Sequence, residues 1–475
     1  MFLKQITDPS LAQNAYLIGC QKSGEAILID PERDVDRYLE IAAENDLKIV
    51  AVTDTHIHAD YLSGTRELIE HHGAHAYITT EGGPDWQMKW AAGAPRTTGI
   101  RHGDSIQIGN IELRVLRTPG HTPEHVSFLV TDHGGGADQP IALLSGDFIF
   151  VGDVGRPDLL ESAAGIEGTM ESSAKALYHS LRETGELPEF LQILPAHGAG
   201  SSCGKALGAI PASVLGYERR FNPALHQALT GPERQFVDNI LSDQPEPPVY
   251  FARMKRDNRD GQPLLPNGKL PRPKRLTATE LATFASNPQH TVLDLRNDRV
   301  AFAANHLKGA LHAPLDGTQF PEMLGSFVDP SSPLVLLVND ESQVATAVRQ
   351  AVRIGCDHLV GWMPVHEALE TTAPMATLKR ITTADLPDAV AAEPGIVLDV
   401  RSAAEFARGA FPGATRIAHT RLSAHTGEIP RNGKIYVHCR SGVRAAKASS
   451  FLAKLGRNVV YVDGPVAALL ETAPA

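Results

Sequence analysis

Residues 54–61 read Asp54-Thr55-His56-Ile57-His58-Ala59-Asp60-Tyr61 and follow an apolar run at 49–52 that predicts a buried strand. Two imidazoles and a carboxylate at alternating positions, just past a strand end, can turn toward one point in space. These ligand types suit a divalent first-row metal. The alternative is a histidine-rich surface loop, and the rest of the chain has to separate the two interpretations.

Three further strand ends carry the same residue types. A predicted hairpin at 106–116, with its turn at Gly109-Asn110, leads into a Pro-Gly turn, and two apolar strands follow at 141–144 and 191–194. The residues presented at these three ends are His121, Asp147 and His197. Because four strand ends each deliver a histidine or an aspartate, the sequence favours a metal site over unrelated polar residues.

Composition limits the function classes. A chain of 475 residues predicts roughly three domains, and a net charge of -11 disfavours nucleic acid or an anionic membrane as partner. No apolar segment reaches the roughly 18–20 residues that span a bilayer, and residues 1–8 do not resemble a secretory signal. The four widely spaced cysteines predict no disulfide framework, so we expect a cytoplasmic protein.

The ordered motifs His56-x-His58-x-Asp60, Gly120-His121-Thr122, Gly146-Asp147 and Ala196-His197-Gly198 resemble those of the metallo-β-lactamase fold superfamily. The resemblance covers residues 1–250 and implies an αββα sandwich with metal at one edge of the paired sheets. Binuclear hydrolases of this fold, such as glyoxalase II, carry histidine where this chain has Tyr61. Tyrosine is a poor substitute for imidazole on zinc, so a mononuclear site is predicted.

Among relatives, the mononuclear branch is similar to the persulfide dioxygenases, which bind iron through two histidines and one aspartate. That resemblance implies one Fe(II) per chain, held by His56, His121 and Asp147, with open positions for sulfur and O2. The remaining motif residues, expected to orient the ligands through hydrogen bonds, are His58, Asp60 and His197.

Three more residues are predicted to belong to this site. Gly155-Arg156-Pro157-Asp158 is similar to the dioxygenases' Gly-Arg-Thr-Asp, which implies that Arg156 pairs with a carboxylate of the thiol carrier. Tyr178 matches a tyrosine that faces the substrate, and Cys203 lies six residues after His197. The alternatives are a structural arginine, a tyrosine in a helix core, and a small buried cysteine in place of a sulfane-sulfur acceptor.

Beyond residue 250 the chain changes character. Residues 251–275 are charged and proline-rich and predict a linker. An internal repeat follows, in which Val292-Leu293-Asp294-Leu295-Arg296 is echoed by Val397-Leu398-Asp399-Val400-Arg401. Strand-helix alternation over these lengths predicts two tandem α/β domains with parallel sheets, at 276–372 and 377–475.

The second copy contains the loop His438-Cys439-Arg440-Ser441-Gly442-Val443-Arg444 between a strand and a helix. A helix N-terminus favours a thiolate, a persulfide or a bound oxyanion, and Arg440 and Arg444 add positive charge. This copy resembles a rhodanese domain, which implies that Cys439 carries sulfur. The first copy has no cysteine in its loop and carries Asp340 and Glu341 instead, so we expect no transferase activity there. It is expected either to position its neighbours or to help form a homo-oligomer.

The chain is therefore predicted to be a bifunctional persulfide dioxygenase and sulfurtransferase. A low-molecular-weight persulfide of the glutathione or coenzyme A type would be oxidised with O2 to sulfite, and Cys439 would transfer sulfane sulfur to sulfite, giving thiosulfate in sulfide detoxification. Two alternatives stay open. One is a binuclear zinc thioester hydrolase of the glyoxalase II kind fused to a sulfurtransferase, and the other is a non-enzymatic sulfur carrier.

Overall fold

The computed structural model describes residues 1–162, 168–205 and 207–466. The chain divides into two compact units, one comprising Met1–Gln244 with Phe251–Lys269 and the other Pro245–Tyr250 with Leu270–Ala475. No helix in the described part of the chain combines the length and apolar character needed to cross a bilayer.

The first unit contains two six-stranded sheets. The first sheet has sequential order and consists of β1 Phe2–Asp8, β2 Gln13–Cys20, β3 Glu25–Ile29, β4 Lys48–Thr53, β5 His75–Thr79 and β6 Thr97–Ile100. The second has the order β12-β11-β10-β9-β8-β7 and consists of β7 Ser105–Ile108, β8 Ile111–Arg117, β9 Val126–Asp132, β10 Ala142–Gly146, β11 Gln192–Pro195 and β12 Ser213–Val214. The predicted hairpin at Gly109-Asn110 is confirmed, because Ile108 pairs with Ile111.

Alternating apolar residues fill the space between the sheets, where Tyr16 and Ile27 of the first sheet share a core cluster with Phe128 and Leu144 of the second. Helices pack their apolar faces on the two outer surfaces. These helices are α1 Asp36–Glu44, α2 Thr65–His72, α3 Leu159–Ser162, α4 Met170–Glu183, α5 Leu215–Phe221, α6 Pro223–Thr230 and α7 Glu233–Leu241. The predicted αββα sandwich is confirmed.

The structure differs from the prediction at 251–275, which was expected to be a linker. Phe251–Asp260 forms helix α8, and Phe251–Lys269 belongs to the first unit. The reason is a buried face in which Phe251, Met254, Lys255 and Asn258 recur at helical spacing. The prolines that suggested a linker come only after this helix.

The second unit contains two five-stranded sheets with matching connectivity. The first copy has the order β13-β18-β17-β14-β16 and the second β20-β24-β23-β21-β22, and all pairings within the two sheets are parallel. Two tandem α/β copies, as the internal repeat predicts, are therefore present.

The strands of the second unit are β13 Lys274–Arg275, β14 Thr291–Asp294, β15 His306–Leu307, β16 Leu311–His312, β17 Leu334–Val338, β18 Leu359–Pro364, β19 Met375–Ala376, β20 Lys379–Thr382, β21 Gly395–Asp399, β22 Thr415–Arg416, β23 Lys434–His438 and β24 Asn458–Asp463. Its helices are α9 Ala278–Ala285, α10 Arg299–Ala304, α11 Gln319–Phe327, α12 Ser342–Arg353, α13 Val365–Leu369, α14 Leu386–Ala392, α15 Ala403–Ala407 and α16 Val443–Lys454.

Candidate metal centre and thiol loop

The strand ends of the first unit converge on a buried cluster of His56, His121 and Asp147. One potential ligand atom from each residue lies within 4.8 Å of the others. The His121 Nε2 is 3.4 Å from Asp147 Oδ2, and the His56 Nε2 is 3.9 Å from the same oxygen. The structure thus brings together the three residues predicted to bind metal.

Hydrogen bonds on the far side of each imidazole fix this arrangement. The Nδ1 of His56 lies 3.0 Å from Thr55 Oγ1, and the Nδ1 of His121 lies 3.0 Å from the Arg156 carbonyl. Both Nε2 atoms are therefore directed at Asp147. Burial lowers the pKa of both histidines, which favours the neutral form that binds metal.

The Asp147 carboxylate provides the test of whether a cation fits this cluster. Both of its oxygens are buried and have no hydrogen-bond partner within the described ranges. Burial raises the pKa of Asp147 to about 6. A buried carboxylate without donors is costly, and a bound divalent cation would offset that cost. The residues present therefore fit a metal.

A second buried cluster adjoins the first and consists of Asp60, His197 and Cys203. The His197 Nε2 lies 3.4 Å from Asp60 Oδ2 and 3.5 Å from Asp147 Oδ1. Asp147 thus presents one oxygen to each cluster. The structure places Asp60 and His197 next to the predicted ligands, and the Cys203 thiol lies beside these two residues.

Cys203 is buried, and burial raises the pKa of its thiol well above the usual value. The nearby carboxylates of Asp60 and Asp147 raise it further. Cys203 thus lies close to the predicted metal ligands, as the sequence indicated. Its raised pKa favours the neutral thiol. A cavity of about 350 Å³, lined by His197, Asn14 and Leu207 among others, adjoins the clusters.

His58 lies beside the predicted ligands and is paired with two carboxylates. Its Nε2 lies 3.1 Å from Asp30 Oδ1 and 3.7 Å from Asp54 Oδ1, and this pairing raises the pKa of His58 to about 9 in spite of burial. Asp30 also accepts a hydrogen bond from Thr55 Oγ1, at 3.0 Å. His58 therefore contacts His56 directly, with ring centroids 4.2 Å apart, and is also linked to it through Asp30 and Thr55.

Tyr61 does not substitute for the histidine of binuclear relatives. Its ring stacks on His58 with centroids 4.5 Å apart, and its hydroxyl donates to the Asp30 carbonyl at 3.3 Å. Gln13 donates to the same hydroxyl at 3.2 Å. The phenol is thus committed to hydrogen bonds outside the Asp60 and His197 pair.

The predicted carrier-binding role of Arg156 stays a prediction, and the contacts of this side chain agree with the structural alternative. The guanidinium is buried, donates two hydrogen bonds to Asp158 at 2.8 and 2.7 Å, and donates a third to the Ser202 carbonyl at 3.2 Å. Three of the five N–H donors of the guanidinium are thus used inside the protein. Arg156 instead fixes the loop whose carbonyl positions His121.

Tyr178 likewise takes the alternative role, in the helix core. Its hydroxyl donates to the Gly231 carbonyl at 2.9 Å, and its ring packs on Phe236 with centroids 5.5 Å apart. It belongs to the apolar cluster under helices α4 and α7. The structure gives no contact between this tyrosine and the metal cluster.

Two glycines are required by the close packing at the strand ends. Gly146 has φ +54, and a Cβ there would lie 2.6 Å from both His125 Nε2 and Thr55 Oγ1. Gly120 has φ +145, and a Cβ there would lie 2.5 Å from the Leu177 Cα. Each precedes a predicted ligand, so the ligand's position depends on the missing side chain.

Helix α8 contributes two residues to the site that the sequence interpretation missed. The Asn258 amide donates to the carbonyls of His58 and Tyr61 at 2.9 and 2.7 Å, and its Oδ1 accepts from the Ser63 amide at 2.9 Å. Lys255, one turn earlier, is buried as well. The signal that could have revealed both was the helical spacing of the apolar residues Phe251 and Met254.

The second candidate site is the loop between β23 and α16. Cys439 is buried, and the Gly442 amide donates to its Sγ at 3.1 Å. Gly442 has φ +96, the conformation that turns the loop into the helix. The thiol lies in the loop before a 12-residue helix, and the Gly442 amide at the N-terminus of that helix donates to it. This agrees with the prediction that a helix N-terminus stabilises the thiolate.

The two arginines of this loop differ in their surroundings. Arg444 donates to both carboxylate oxygens of Glu405, at 2.6 and 2.7 Å, whereas the Arg440 side chain is exposed. Burial alone would raise the pKa of Glu405, but the hydrogen bonds and charge of Arg444 lower it to about 2. Arg444 is thus held in place, and Arg440 is the arginine open to an incoming anion.

The cysteine-less copy contacts this loop and the helix after it. The Nη2 of Arg299, in the first copy, lies 3.4 Å from the Ser441 carbonyl oxygen. The Nε of the same arginine donates to Asp463 at 2.9 Å. Glu322 accepts a hydrogen bond from Lys447 at 2.8 Å and lies 2.7 Å from His419 Nε2. The first copy therefore supports the loop that carries Cys439.

Comparison with known proteins agrees with this geometry. The family model of the metallo-beta-lactamase superfamily matches residues 9–197, and that of the rhodanese-like domain matches residues 382–471. The persulfide dioxygenase ETHE1 of Bos taurus is 30% identical over 230 residues, which cover 47% of this chain and 76% of the relative. The chain belongs to the metallo-β-lactamase superfamily, as an ETHE1-like member. In it, an ETHE1-like domain is followed by a rhodanese-like domain.

A solved structure and a second group of curated proteins are also similar to this ETHE1-like chain. A crystal structure described as a metallo-beta-lactamase from Staphylococcus aureus is 39% identical with a TM-score of 0.67, covering 77% of this chain and 99% of that one. The hydroxyacylglutathione hydrolase of Actinobacillus pleuropneumoniae is 28% identical over 189 residues, or 40% of this chain and 67% of the relative. The similarity to the hydrolase is the weaker one.

Proposed function

We propose that this chain is a bifunctional enzyme that oxidises an organic persulfide to sulfite and then makes thiosulfate from that sulfite. The observation that carries the proposal is a single one. An ETHE1-like domain with two histidines around a buried carboxylate that has no hydrogen-bond partner among the described residues shares one chain with a rhodanese-like domain whose cysteine lies in the loop before a helix.

In the ETHE1-like domain, His56, His121 and Asp147 would hold one Fe(II). When bound, Fe(II) supplies open coordination positions for a persulfide sulfur and O2. The chain's own contribution is to orient the imidazoles through Thr55 and the Arg156 carbonyl, and to keep the site buried. The balanced reaction is R–S–SH plus O2 plus H2O, giving R–SH, sulfite and two protons.

In the rhodanese-like domain, the Cys439 thiolate would attack the terminal sulfur of a second persulfide. A new S–S bond forms at Cys439, the donor S–S bond breaks, and the donor thiol leaves with a proton. Sulfite then attacks the outer sulfur, forming thiosulfate and returning the Cys439 thiolate. The Gly442 amide and the helix N-terminus stabilise the anionic sulfur in both steps.

Metal analysis combined with an oxygen electrode tests the oxygenase half. We expect about one iron per chain and O2 uptake only when a glutathione or coenzyme A persulfide is added. Stoichiometric zinc without O2 uptake would overturn it, because zinc has no redox chemistry.

The second candidate function is a binuclear zinc thioester hydrolase. It is favoured by one observation, the three-donor cluster of Asp60, His197 and Cys203 beside Asp147. Two metals per chain and hydrolysis of S-lactoylglutathione would support it over the dioxygenase.

A further inference from the structure

Lys255 is a buried cation in the first unit that the reaction described above does not use. It lies on helix α8, one turn before Asn258, whose amide binds the loop that carries the histidine motif. The lysine side chain is 6% exposed. Helix α8 therefore places an ammonium group on the same face as its main contact with the metal-binding loop.

The Lys255 ammonium has no hydrogen-bond acceptor among the residues that the structure describes. Within the described ranges, neither a hydrogen bond nor an ion pair to its Nζ is found, and its one close neighbour is the Trp86 ring, with its centroid 5.1 Å away. The exposed cations of the same helix do have such partners, since Arg256 pairs with Asp257 at 2.9 Å and Arg259 with Asp260 at 2.8 Å. A buried charge without a counter-ion is unfavourable unless a ligand supplies one.

Lys255 lies near the histidine cluster, on the helix whose Asn258 binds the His58 and Tyr61 carbonyls. After burial itself, Lys255 is the largest influence that lowers the pKa of His121, and it also lowers that of His56. Burial lowers the pKa of Lys255 to about 8, and Glu124 is the largest influence that opposes this shift. The ammonium is therefore close to both predicted histidine ligands and to the thiol of the adjoining cluster.

Glu124 is the carboxylate that most influences Lys255, yet the two form no ion pair within 4.0 Å in the described structure. Glu124 is instead engaged by the Ile57 amide, which donates to its Oε1 at 2.9 Å. Burial raises the pKa of Glu124, and Lys255 is the largest influence that lowers it. The Lys255 charge thus stays available for another anion.

We propose that Lys255, backed by Trp86, forms an anion subsite beside the metal centre that takes the anionic sulfur group of the substrate and the sulfite product. The identity of the anion rests on the proposed persulfide chemistry, whereas the subsite itself rests on the geometry of Lys255. Persulfide and sulfite share a compact negative charge, which matches a single ammonium donor.

Lys255→Met tests this proposal because methionine keeps the length and removes the charge. We expect the KM for persulfide to rise roughly 10- to 100-fold, the loss typical of one charge-assisted hydrogen bond, with kcat changed less than about threefold. Lys255→Arg should restore most of the affinity. Lys89→Met is the matched control, since Lys89 is 57% exposed and faces Asp260, and it should behave like the natural chain.

Direct binding provides a readout that does not depend on turnover. Sulfite is titrated calorimetrically into full-length, iron-loaded Cys439→Ser protein with and without Lys255→Met, and we expect a similar 10- to 100-fold weakening. Unchanged KM and unchanged sulfite affinity at full iron content would overturn the subsite. Loss of iron from Lys255→Met would also overturn it, because the lysine would then be structural.

The two proposals fail in different ways. A natural chain that consumes no O2 with any persulfide, but binds sulfite through Lys255, would remove the dioxygenase function and leave the anion subsite. Persulfide-dependent O2 uptake that is indifferent to Lys255→Met would leave the function and remove the subsite.

Discussion

Asp147 is the residue on which both buried clusters of the first unit converge. Its Oδ2 faces His121 and His56, and its Oδ1 faces His197. A carboxylate shared in this way links the chemistry of the two clusters. The number of metals bound is therefore the measurement that separates the dioxygenase from the hydrolase.

Cys439 provides the clearest residue-scale prediction. In Cys439→Ser the hydroxyl cannot carry sulfane sulfur, so O2 uptake with persulfide should stay within about twofold, and sulfite should replace thiosulfate as the product. The products are measured by ion chromatography. Cys356→Ser is the matched control, because Cys356 is buried in the other copy and should leave the product unchanged. An unchanged thiosulfate yield in Cys439→Ser would move the transferase role to another thiol, with Cys203 the first to test.

The sequence predicted which residues lie at the site better than it predicted which groups their side chains hydrogen-bond. His56, His121 and Asp147 come together as expected because each follows directly on a strand whose apolar pattern is plain. Arg156 and Tyr178 hydrogen-bond inside the protein, to Asp158 and to the Gly231 carbonyl, so their contacts with a substrate stay predictions. Side-chain pairing of that kind depends on loop conformation, which motif spacing does not encode.

At the scale of the element, helix α8 is the part of the fold that supports the metal-binding loop. Its Asn258 makes three hydrogen bonds to that loop, and Lys255 is buried one turn earlier on the same helix. Sequence could have revealed the helix from its buried spacing. It could not have revealed the docking, since residues about 200 positions apart meet only in the folded chain.

Asn258→Ala tests this support. The substitution leaves two carbonyls and one amide without partners, so the free energy of unfolding should fall by about 1–3 kcal/mol and iron retention should fall with it. Thermal unfolding and metal analysis after dialysis measure the two effects. Arg256→Ala, at an exposed position of the same helix, should change neither. Full iron retention in Asn258→Ala would show that the loop holds its shape without the helix.

Helix α15 is joined to the Cys439 loop by the Glu405 and Arg444 pair. Because the pKa of Glu405 is about 2 in the folded protein and about 4.3 when unfolded, its stabilisation is complete above about pH 5 and is lost as the pH falls toward 2. Glu405→Gln should therefore lower the unfolding midpoint by roughly 2–4 °C at pH 7, for a loss of about 1 kcal/mol, and by less at pH 3.

Calorimetry at the two pH values measures this difference. Glu428→Gln is the control, because Glu428 is 63% exposed and its pairing with His425 should contribute little. A difference between Glu405→Gln and the natural chain that does not shrink at pH 3 would contradict the assigned role of the ion pair.

At the scale of the whole molecule, the repeat in the sequence predicted two tandem copies, and their matching strand order agrees with it. The boundaries at 276–372 and 377–475 stay predictions. The repeat did not reveal that the cysteine-less copy contacts its neighbour. The residues that make these contacts, Arg299 and Glu322, belong to none of the sequence motifs.

Joining both activities in one chain makes a further prediction. An equimolar mixture of His121→Ala and Cys439→Ser chains contains one working site of each kind, but on separate molecules. We expect this mixture to release free sulfite before thiosulfate appears, whereas the natural chain at equal site concentration releases less. Quenched-flow sampling with sulfite detection measures the lag. Identical time courses would show that the two steps exchange sulfite through bulk solution.

The support that Arg299 and Glu322 give to the second copy has a practical consequence for dissecting the gene. A fragment starting at residue 377 would bring Lys447, whose side chain is 2% exposed in the whole chain, into water and would remove the acceptor of its ammonium. The Ser441 carbonyl would lose its arginine as well. Sulfurtransferase rates measured on such an excised module would describe a loosened loop, so kinetic work on Cys439 requires a chain that retains both repeats.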